Sequence, residues 1–182
     1  MTLTKTEFDV YDLCQKGDRK AQMQVYDNYS QAMYHVALRI VDDRALAEDV
    51  MQESMITALQ KMEQWNRTAS FGSWLKRIVI NNSLTAIRKG KRMPTVSIDD
   101  NVFHLETQVV DDIDMENAGI TAARVLEVLK TMKSNYRQVL TLSLIEGMDN
   151  EEISEIMQIS NGLCRTTISR AKASLRQKLT NL

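Results

Sequence analysis

The sequence predicts an all-α protein made of two small helical domains joined by an acidic linker, with a helix-turn-helix in the C-terminal domain. Three observations support this fold class. The 182 residues include one Pro and six Gly, few for a turn-rich fold, while Leu, Met, Ala, Glu, Gln and Lys are abundant. Apolar residues recur at steps of three and four, the period of a helix. Charge is segregated into two basic blocks around an acidic one.

This segregation of charge predicts the domain boundaries. Residues 66–92 hold seven basic residues and no acid, whereas residues 93–118 hold seven acids and no base. The acidic block contains the only proline, Pro94, and has no sustained helical period, which is typical of a linker. The predicted N-terminal domain, linker and C-terminal domain are residues 1–92, 93–118 and 119–182.

Helical spacing runs through the first domain. One apolar face is formed by Val25, Tyr29, Met33, Ala37 and Ile40. After a break at "VDDR", a second helix repeats the pattern at Met51, Met55, Ala58 and Met62. A third long helix is predicted from about Ser70 to Arg88. Its polar and basic stripe consists of Arg77, Asn81, Thr85 and Arg88, and its apolar stripe of Phe71, Trp74 and Ile78.

The second domain ends in a helix-turn-helix pattern. Gly147 is predicted to end one helix, and Asp149 with Glu152 resembles a capping box that starts a short helix, Glu151 to Met157. Ser160 can cap the last helix after a tight turn. The buried seam of that helix is predicted at Cys164, Ile168, Ala171, Leu175 and Leu179, and its basic face at Arg165, Ser169, Lys172 and Arg176.

Each basic surface has an ordinary interpretation and a functional one. The last helix could simply carry cations at its C-terminal end, but that leaves Arg165 and Arg170 in its first half unexplained. The block 66–92 could be a solvated helix, or aromatic residues among its bases could hold single-stranded nucleic acid. For Trp74 alone, a core position is favoured, while Trp65 beside the polar break is expected to be more open.

The sequence offers little support for catalysis. The only histidines, His35 and His104, lie in no recognisable nucleophile or metal constellation, and no phosphate-binding glycine loop is present. Cys14 and Cys164 form no disulfide framework or metal spacing. We therefore expect no enzymatic activity, cofactor or metal. No signal-peptide or membrane-spanning run occurs, which predicts a cytoplasmic protein without membrane insertion.

Two blocks of the sequence resemble a known family. The run from "GDRKAQMQVYDNY" to "AEDVMQESMITALQKM", with the following "FGSWLKRIVINNSLTAIRKGKR", resembles region 2 of bacterial sigma factors of the extracytoplasmic-function type, in the sigma-70 family. The run "YRQVLTLSLIEGMDNEEISEIMQISNGLCRTTISRAKASLRQKL" resembles their region 4. The resemblance covers nearly everything except the first dozen residues and the acidic linker.

The resemblance implies a promoter-specificity subunit of RNA polymerase. Region 2 would bind the clamp of the largest subunit and the melted −10 strand, and region 4 the β flap and the duplex −35 element. An anti-sigma factor is an implied partner. The implied polymerase contacts are Asp49, Gln52 and Glu53, which without the resemblance would be an exposed acidic face. The implied −10 contacts are Trp65, Asn66, Arg67, Ser70, Trp74, Arg77, Asn81 and Arg88. The implied −35 contacts are Gly162, Leu163, Arg165, Thr166, Ser169, Arg170 and Lys172.

Some points depart from the family or stay open. No proline precedes the region 4 helix, where the family usually has one. Leu163 stands where the family usually has Thr, so an apolar side chain that could contact a thymine methyl replaces a hydroxyl group that could bond a base or phosphate. The linker could thread toward the polymerase active centre or be a flexible acidic tether. Without the resemblance, the alternatives are a helix-turn-helix regulator that is not a polymerase subunit and a helical interaction adaptor.

Overall fold

The computed structural model describes residues 5–90 and 122–180, with side chains from residue 10 onward. The chain divides into two compact units, Met1–Thr95 and Val96–Leu182. Within the described ranges every regular element is helical, which confirms the all-α class. The predicted linker, residues 93–118, lies outside the described residues, so its limits and its path stay predictions.

Over residues 5–90, the first unit contains four α-helices and a short 3-10 turn. Their bounds are α1 Lys5–Gln15, α2 Arg19–Val41, α3 Arg44–Gln60, the 3-10 turn Met62–Gln64 and α4 Phe71–Gly90. Helices α2, α3 and α4 pack on one another, and α1 lies against α2 and the 3-10 turn.

Adjacent aspartates create the break between α2 and α3. Asp42 adopts the left-handed conformation (φ 58°) that ends α2, and Asp43 accepts a hydrogen bond from the Leu46 amide at 2.8 Å as the N-cap of α3. The predicted break at "VDDR" is confirmed. The predicted apolar set Met51, Met55, Ala58 and Met62 is buried, and the first three lie on α3 while Met62 begins the 3-10 turn.

The buried face of α4 differs from the predicted one. Trp74 and Ile78 are half-buried, and the core positions are Phe71, Leu75, Val79, Ile80, Ser83 and Leu84. The apolar stripe is therefore displaced by one position, from the predicted Trp74 and Ile78 to Leu75 and Val79, because the latter side chains pack in the core. A side-chain hydrogen bond also joins α4 to α3, in which the Asn82 amide donates to Ser54 Oγ at 3.0 Å.

The second unit is organised around its last helix, which α5, α6 and α7 contact. The elements are α5 Ala122–Lys130, α6 Ser134–Leu140, a π-helical turn Thr141–Ile145, α7 Asn150–Met157 and α8 Asn161–Thr180. The sequence predicted one amphipathic stretch where α6 and the π turn lie. The four consecutive residues from Val139 to Leu142 are all buried. One face of a regular α-helix cannot bury four consecutive side chains, and the wider π-helical turn accommodates them.

Candidate nucleic-acid and polymerase interfaces

The loop from Trp65 to Ser70 is held by hydrogen bonds inside it. The Trp65 indole N–H donates to the Ala69 carbonyl at 2.9 Å, across the loop. Asn66 Oδ1 accepts from both the amide (3.1 Å) and the hydroxyl (2.7 Å) of Thr68. Ser70 Oγ accepts from the Ser73 amide at 3.2 Å and so caps α4. The exposed surface of the loop is therefore built on a defined backbone.

Trp65 is not the open tryptophan that the sequence analysis expected. It is 3% exposed, whereas Trp74 is half-buried. The physical reason is an aromatic cluster: the Tyr11 and Phe71 rings lie 5.0 and 5.3 Å from the Trp65 ring, centroid to centroid. The expectation for Trp65 was wrong, and of the two tryptophans Trp74 offers more ring surface to a base.

Arg67, in the middle of the loop, has an unusual conformation. Its φ of 62° lies in the left-handed region, which few non-glycine residues adopt. The guanidinium lies 5.6 Å from the centroid of the Trp65 ring and pairs with the carboxylate of Asp12 on α1. Asp12 was not among the predicted site residues, because it precedes the recognisable motifs and no periodicity signals a pair between residues 55 positions apart.

The helix α4 presents its predicted polar stripe to solvent. Arg77, Asn81, Thr85 and Arg88 are exposed, while Leu75, Val79 and Leu84 on the other side are buried. The Thr85 hydroxyl donates to the backbone carbonyl of Asn81 at 2.8 Å. The helix α4 begins at Phe71, directly after the loop, so the exposed residues of the loop and of the stripe are neighbours along the chain.

The surface of α3 combines acids with one apolar side chain. Asp49, Gln52 and Glu53 are exposed, and the Gln52 side chain donates to Glu48 Oε1 at 3.4 Å. Ile56, at the same helical spacing, is 57% exposed. Ile56 was not among the predicted site residues, although it follows Glu53 by three positions and so lies on the same helical face. This mixture fits a protein partner better than nucleic acid.

The helix-turn-helix has the predicted local structure. Asp149 accepts from the amides of Glu151 and Glu152 at 2.8 Å each, and Glu152 Oε2 accepts from the Asp149 amide at 3.1 Å, which confirms the capping box. Gly147 has φ 70°, as expected of the residue that ends the preceding helix. In the turn, Gln158 is left-handed (φ 59°), and Ser160 Oγ accepts from the Leu163 amide at 3.3 Å.

The helix α8 separates an apolar seam from a polar face. All five predicted seam residues are buried, which confirms Cys164 as a packed thiol. Gly162, Arg165, Thr166 and Arg170 are exposed, and Leu163, Ser169 and Lys172 are half-buried. A Cβ added at Gly162 would meet nothing within 4 Å, so the intramolecular packing does not require glycine there. Lys178 is separate from this face, because its ammonium donates to Thr131 Oγ1 at 3.4 Å.

Neither cysteine has the character of a nucleophile. Burial, with a smaller contribution from the negative charge of Asp18, raises the pKa of Cys14 to about 11. Burial also raises the pKa of Cys164, an effect that Arg165 partly opposes. Both thiols are therefore protonated near neutral pH. Among the described residues, no group of histidines, cysteines and acids could hold a metal ion, and no helix is long and apolar enough to cross a bilayer.

Comparisons with known proteins match both units. Residues 25–93 match the family model for sigma-70 region 2, and residues 122–175 match the model for sigma-70 region 4. The chain is 28% identical to the "ECF RNA polymerase sigma factor SigW" of Bacillus subtilis, over 92% of this chain and 93% of that protein. It is also 28% identical to the "ECF RNA polymerase sigma-E factor" of Haemophilus influenzae, over 96% of this chain and 95% of that protein.

Two solved structures share the fold. One is the sigma factor RpoE in complex with the anti-sigma factor NepR from Bartonella quintana, with a TM-score of 0.57 and 22% identity, covering 88% of this chain and 96% of that one. The other is CnrH in complex with the cytosolic domain of CnrY, with a TM-score of 0.55 and 21% identity, covering 94% of this chain and 96% of that one. At these identities the likeness shows a common fold.

Proposed function

The chain belongs to the sigma-70 family and is an RNA polymerase sigma factor of the extracytoplasmic-function type, and on that premise we propose which of its surfaces carries each step of initiation. A sigma factor binds core RNA polymerase, directs it to promoters through the −10 and −35 elements, and assists DNA opening. It is an initiation factor and not an enzyme.

The loop and α4 bind one melted strand of the −10 element. Unstacking a base costs a few kcal/mol, so the protein must bind the unstacked strand tightly enough to offset that free energy. The half-buried Trp74 ring and the exposed polar edge of the loop, Asn66 and Ser70, supply base contacts. Arg77 and Arg88 neutralise phosphates, and Asn81 lies between them on the exposed stripe.

Trp65 and Arg67 take a different part in this surface. The Trp65 indole is buried and hydrogen-bonded within the loop, so it cannot stack on a base without unpacking the aromatic cluster. Arg67 is engaged by Trp65 and Asp12. We assign both residues to holding the loop in shape, and the base contacts to the exposed positions around them.

The α3 surface binds the clamp of the largest polymerase subunit. Asp49, Gln52 and Glu53 provide negative charge and hydrogen-bonding groups, and the exposed Ile56 provides an apolar centre. Helices α3 and α4 pack on one another, and the Asn82 side-chain amide donates to Ser54 between them, so the polymerase-binding and strand-binding surfaces keep a fixed mutual orientation. That connection is the observation that carries the proposal, because melting requires the polymerase and the strand to be held together.

The helix α8 reads the −35 element as duplex. An α-helix fits the major groove, and side chains near its N-terminal end reach base edges. Arg165, Thr166 and Arg170 supply polar contacts, Gly162 allows a close backbone approach, and Lys172 contacts phosphate. Thr166 donates its hydroxyl proton to the Gly162 carbonyl at 3.0 Å, so it meets a base as an acceptor or through its methyl group. Leu163 favours an apolar contact.

The remaining partners follow from the family. We place the β flap against the second unit and the protein in the cytoplasm, where polymerase and promoter meet. The two solved structures of similar fold are complexes, one with an anti-sigma factor and one with the cytosolic domain of CnrY. They support an anti-sigma factor as the regulatory partner of this chain. The acidic linker, residues 93–118, either enters the polymerase channel or tethers the two units.

Transcription in vitro tests the proposed function. Purified core polymerase should start at defined sites on a genomic fragment library only after this protein is added, because core enzyme alone has no promoter-reading surface. The measurement is sequencing of transcript 5′ ends, with core alone as the control. If the start sites with the protein match those of core alone, the sigma activity is wrong. Binding to duplex DNA without new starts would favour a helix-turn-helix regulator.

A further inference from the structure

The helix α1 contacts the loop from Trp65 to Ser70 at its beginning and middle, and also contacts the residue that follows it. Tyr11 of α1 lies 5.0 Å from the Trp65 ring and 4.8 Å from the Phe71 ring, which follows the loop at the first position of α4. The next residue of α1, Asp12, pairs with Arg67 in the middle of the loop. Two consecutive residues of α1 therefore touch two residues of the loop and the first residue of α4.

The helix α1 is itself anchored. Tyr11 and Cys14 are buried, and the Tyr11 hydroxyl lies 2.9 Å from the Tyr29 hydroxyl. The Gln15 side-chain amide donates to the Met62 carbonyl at 3.3 Å, just before the loop. The Asp12 carboxylate consequently presents its charge from a fixed helix and not from a flexible segment. The matched family model begins at residue 25, so α1 lies outside the matched residues.

Arg67 needs such a support. Its left-handed backbone is unfavourable for a side chain with a Cβ and persists only where surrounding contacts hold it. The Asp12 carboxylate on one side and the Trp65 ring on the other supply two contacts to its guanidinium. The side chains are 29% exposed for Arg67 and 48% for Asp12, so solvent screens the pair only partly.

We propose that Asp12 is a positioning residue for −10 recognition: it holds Arg67 against Trp65 and thereby sets the shape of the loop that meets the melted strand. This role rests on the proposed function of the loop. Asp12 would touch no base. Without such a role, an acid beside a strand-binding surface would only weaken strand binding, because its carboxylate repels phosphate.

Promoter selection distinguishes positioning from simple repulsion. The probe is a promoter library randomised across the −10 element, transcribed by holoenzyme and read by sequencing. Under the positioning role, Asp12→Asn and Arg67→Ala change preference at the same base positions, by about three- to fivefold, and the double variant changes it no further. If Asp12 only repels phosphate, Asp12→Asn strengthens binding to every sequence alike and alters its salt dependence, which would overturn the proposal.

A charge exchange provides the rescue. Asp is among the residues that tolerate the left-handed conformation, so Arg67→Asp combined with Asp12→Arg keeps an ion pair at an acceptable backbone. We expect the pair of substitutions to restore part of the preference that each one loses. Effects that merely add would contradict positioning. The matched control is Asp27→Asn, which removes one exposed carboxylate from α2 and should leave preference unchanged.

A measurement without DNA separates this inference from the proposed function. The chain has two tryptophans, so a Trp74→Phe background leaves Trp65 as the only one, and excitation at the red edge of tryptophan absorption avoids the five tyrosines. Adding Asp12→Asn should increase quenching of Trp65 by acrylamide, because Arg67 no longer covers its ring; unchanged quenching would refute positioning. If wild-type protein directs polymerase to no site, the proposed function fails. If Arg67→Ala alters preference and Asp12→Asn does not, only the positioning inference fails.

Discussion

At the scale of single residues, burial separates side chains that the sequence treats as equivalent. Trp65 and Trp74 both lie among basic residues near the start of α4, yet one is buried in an aromatic cluster and the other is half-buried. Arg67 and Arg77 likewise differ, because Arg67 is half-buried whereas Arg77 lies on the exposed stripe of α4. Residue type indicates the chemistry of a surface, but accessibility decides which residue performs it.

The two tryptophans should therefore respond differently to substitution. Trp65→Ala should reduce the free energy of unfolding by about 3–5 kcal/mol, because it empties a packed site and removes a hydrogen bond. Trp74→Ala should keep the fold and weaken binding to a single-stranded −10 oligonucleotide in the holoenzyme by about 1–3 kcal/mol, the loss of one stacked base. Urea unfolding and fluorescence anisotropy measure the two quantities.

The control for Trp74 is Trp74→Phe, which retains an aromatic face and should retain most of the strand binding. If Trp74→Ala binds the oligonucleotide as tightly as wild type, Trp74 is not part of the strand-binding surface. If Trp65→Ala unfolds at the same urea concentration as wild type, the aromatic cluster does not have the structural role assigned to it.

At the scale of elements, helix caps and seams fix which face each helix exposes. Three local features precede α8 and position its start: the capping box at Asp149, the left-handed turn at Gln158 and the cap at Ser160. The buried seam of α8 then turns Arg165 and Arg170 outward. These features depend on residues within a few positions of one another, which is why the sequence predicted them correctly.

The exposed arginines of α8 should carry −35 recognition. Arg165→Ala or Arg170→Ala should weaken binding to promoter DNA by about 1–3 kcal/mol and relax preference at one −35 position, as expected for loss of a base contact. The measurement is competition between −35 variants for the holoenzyme. Lys178→Ala is the control on the same helix, because its ammonium is bonded to Thr131 within the fold. Unchanged −35 preference in both arginine variants would remove them from the interface.

At the scale of the whole molecule, surfaces of opposite charge coexist in a chain of net charge −1. The acidic face of α3 suits a protein partner, while the polar and basic faces of α4 and α8 suit nucleic acid. Total charge therefore says little about this protein, since its partners meet separate faces. The described residues give each unit its own surface, and the link between them lies outside these residues.

The acidic face of α3 should be required for assembly. Combining Asp49→Lys with Glu53→Lys should weaken binding to core polymerase by at least tenfold, because charge reversal opposes a complementary partner surface. The far-UV circular dichroism should not change, since both side chains are exposed. The matched control is Asp27→Lys with Glu63→Lys, the same charge change on exposed acids elsewhere in the unit. If both double variants bind core polymerase equally well, the acidic face of α3 is an ordinary solvated surface.

The sequence by itself determined the helical class, the helix boundaries at Asp42, Asp43 and Gly147, the capping box and the seam of α8. All of these follow from periodicity and capping over a few residues. Only the tertiary structure decided that Trp65 is buried, that Asn82 reaches Ser54 and that Asp12 holds Arg67. Asn82 and Ser54 are 28 positions apart, and Arg67 and Asp12 are 55 positions apart. Such pairs depend on how the helices pack, which no local pattern in the sequence encodes.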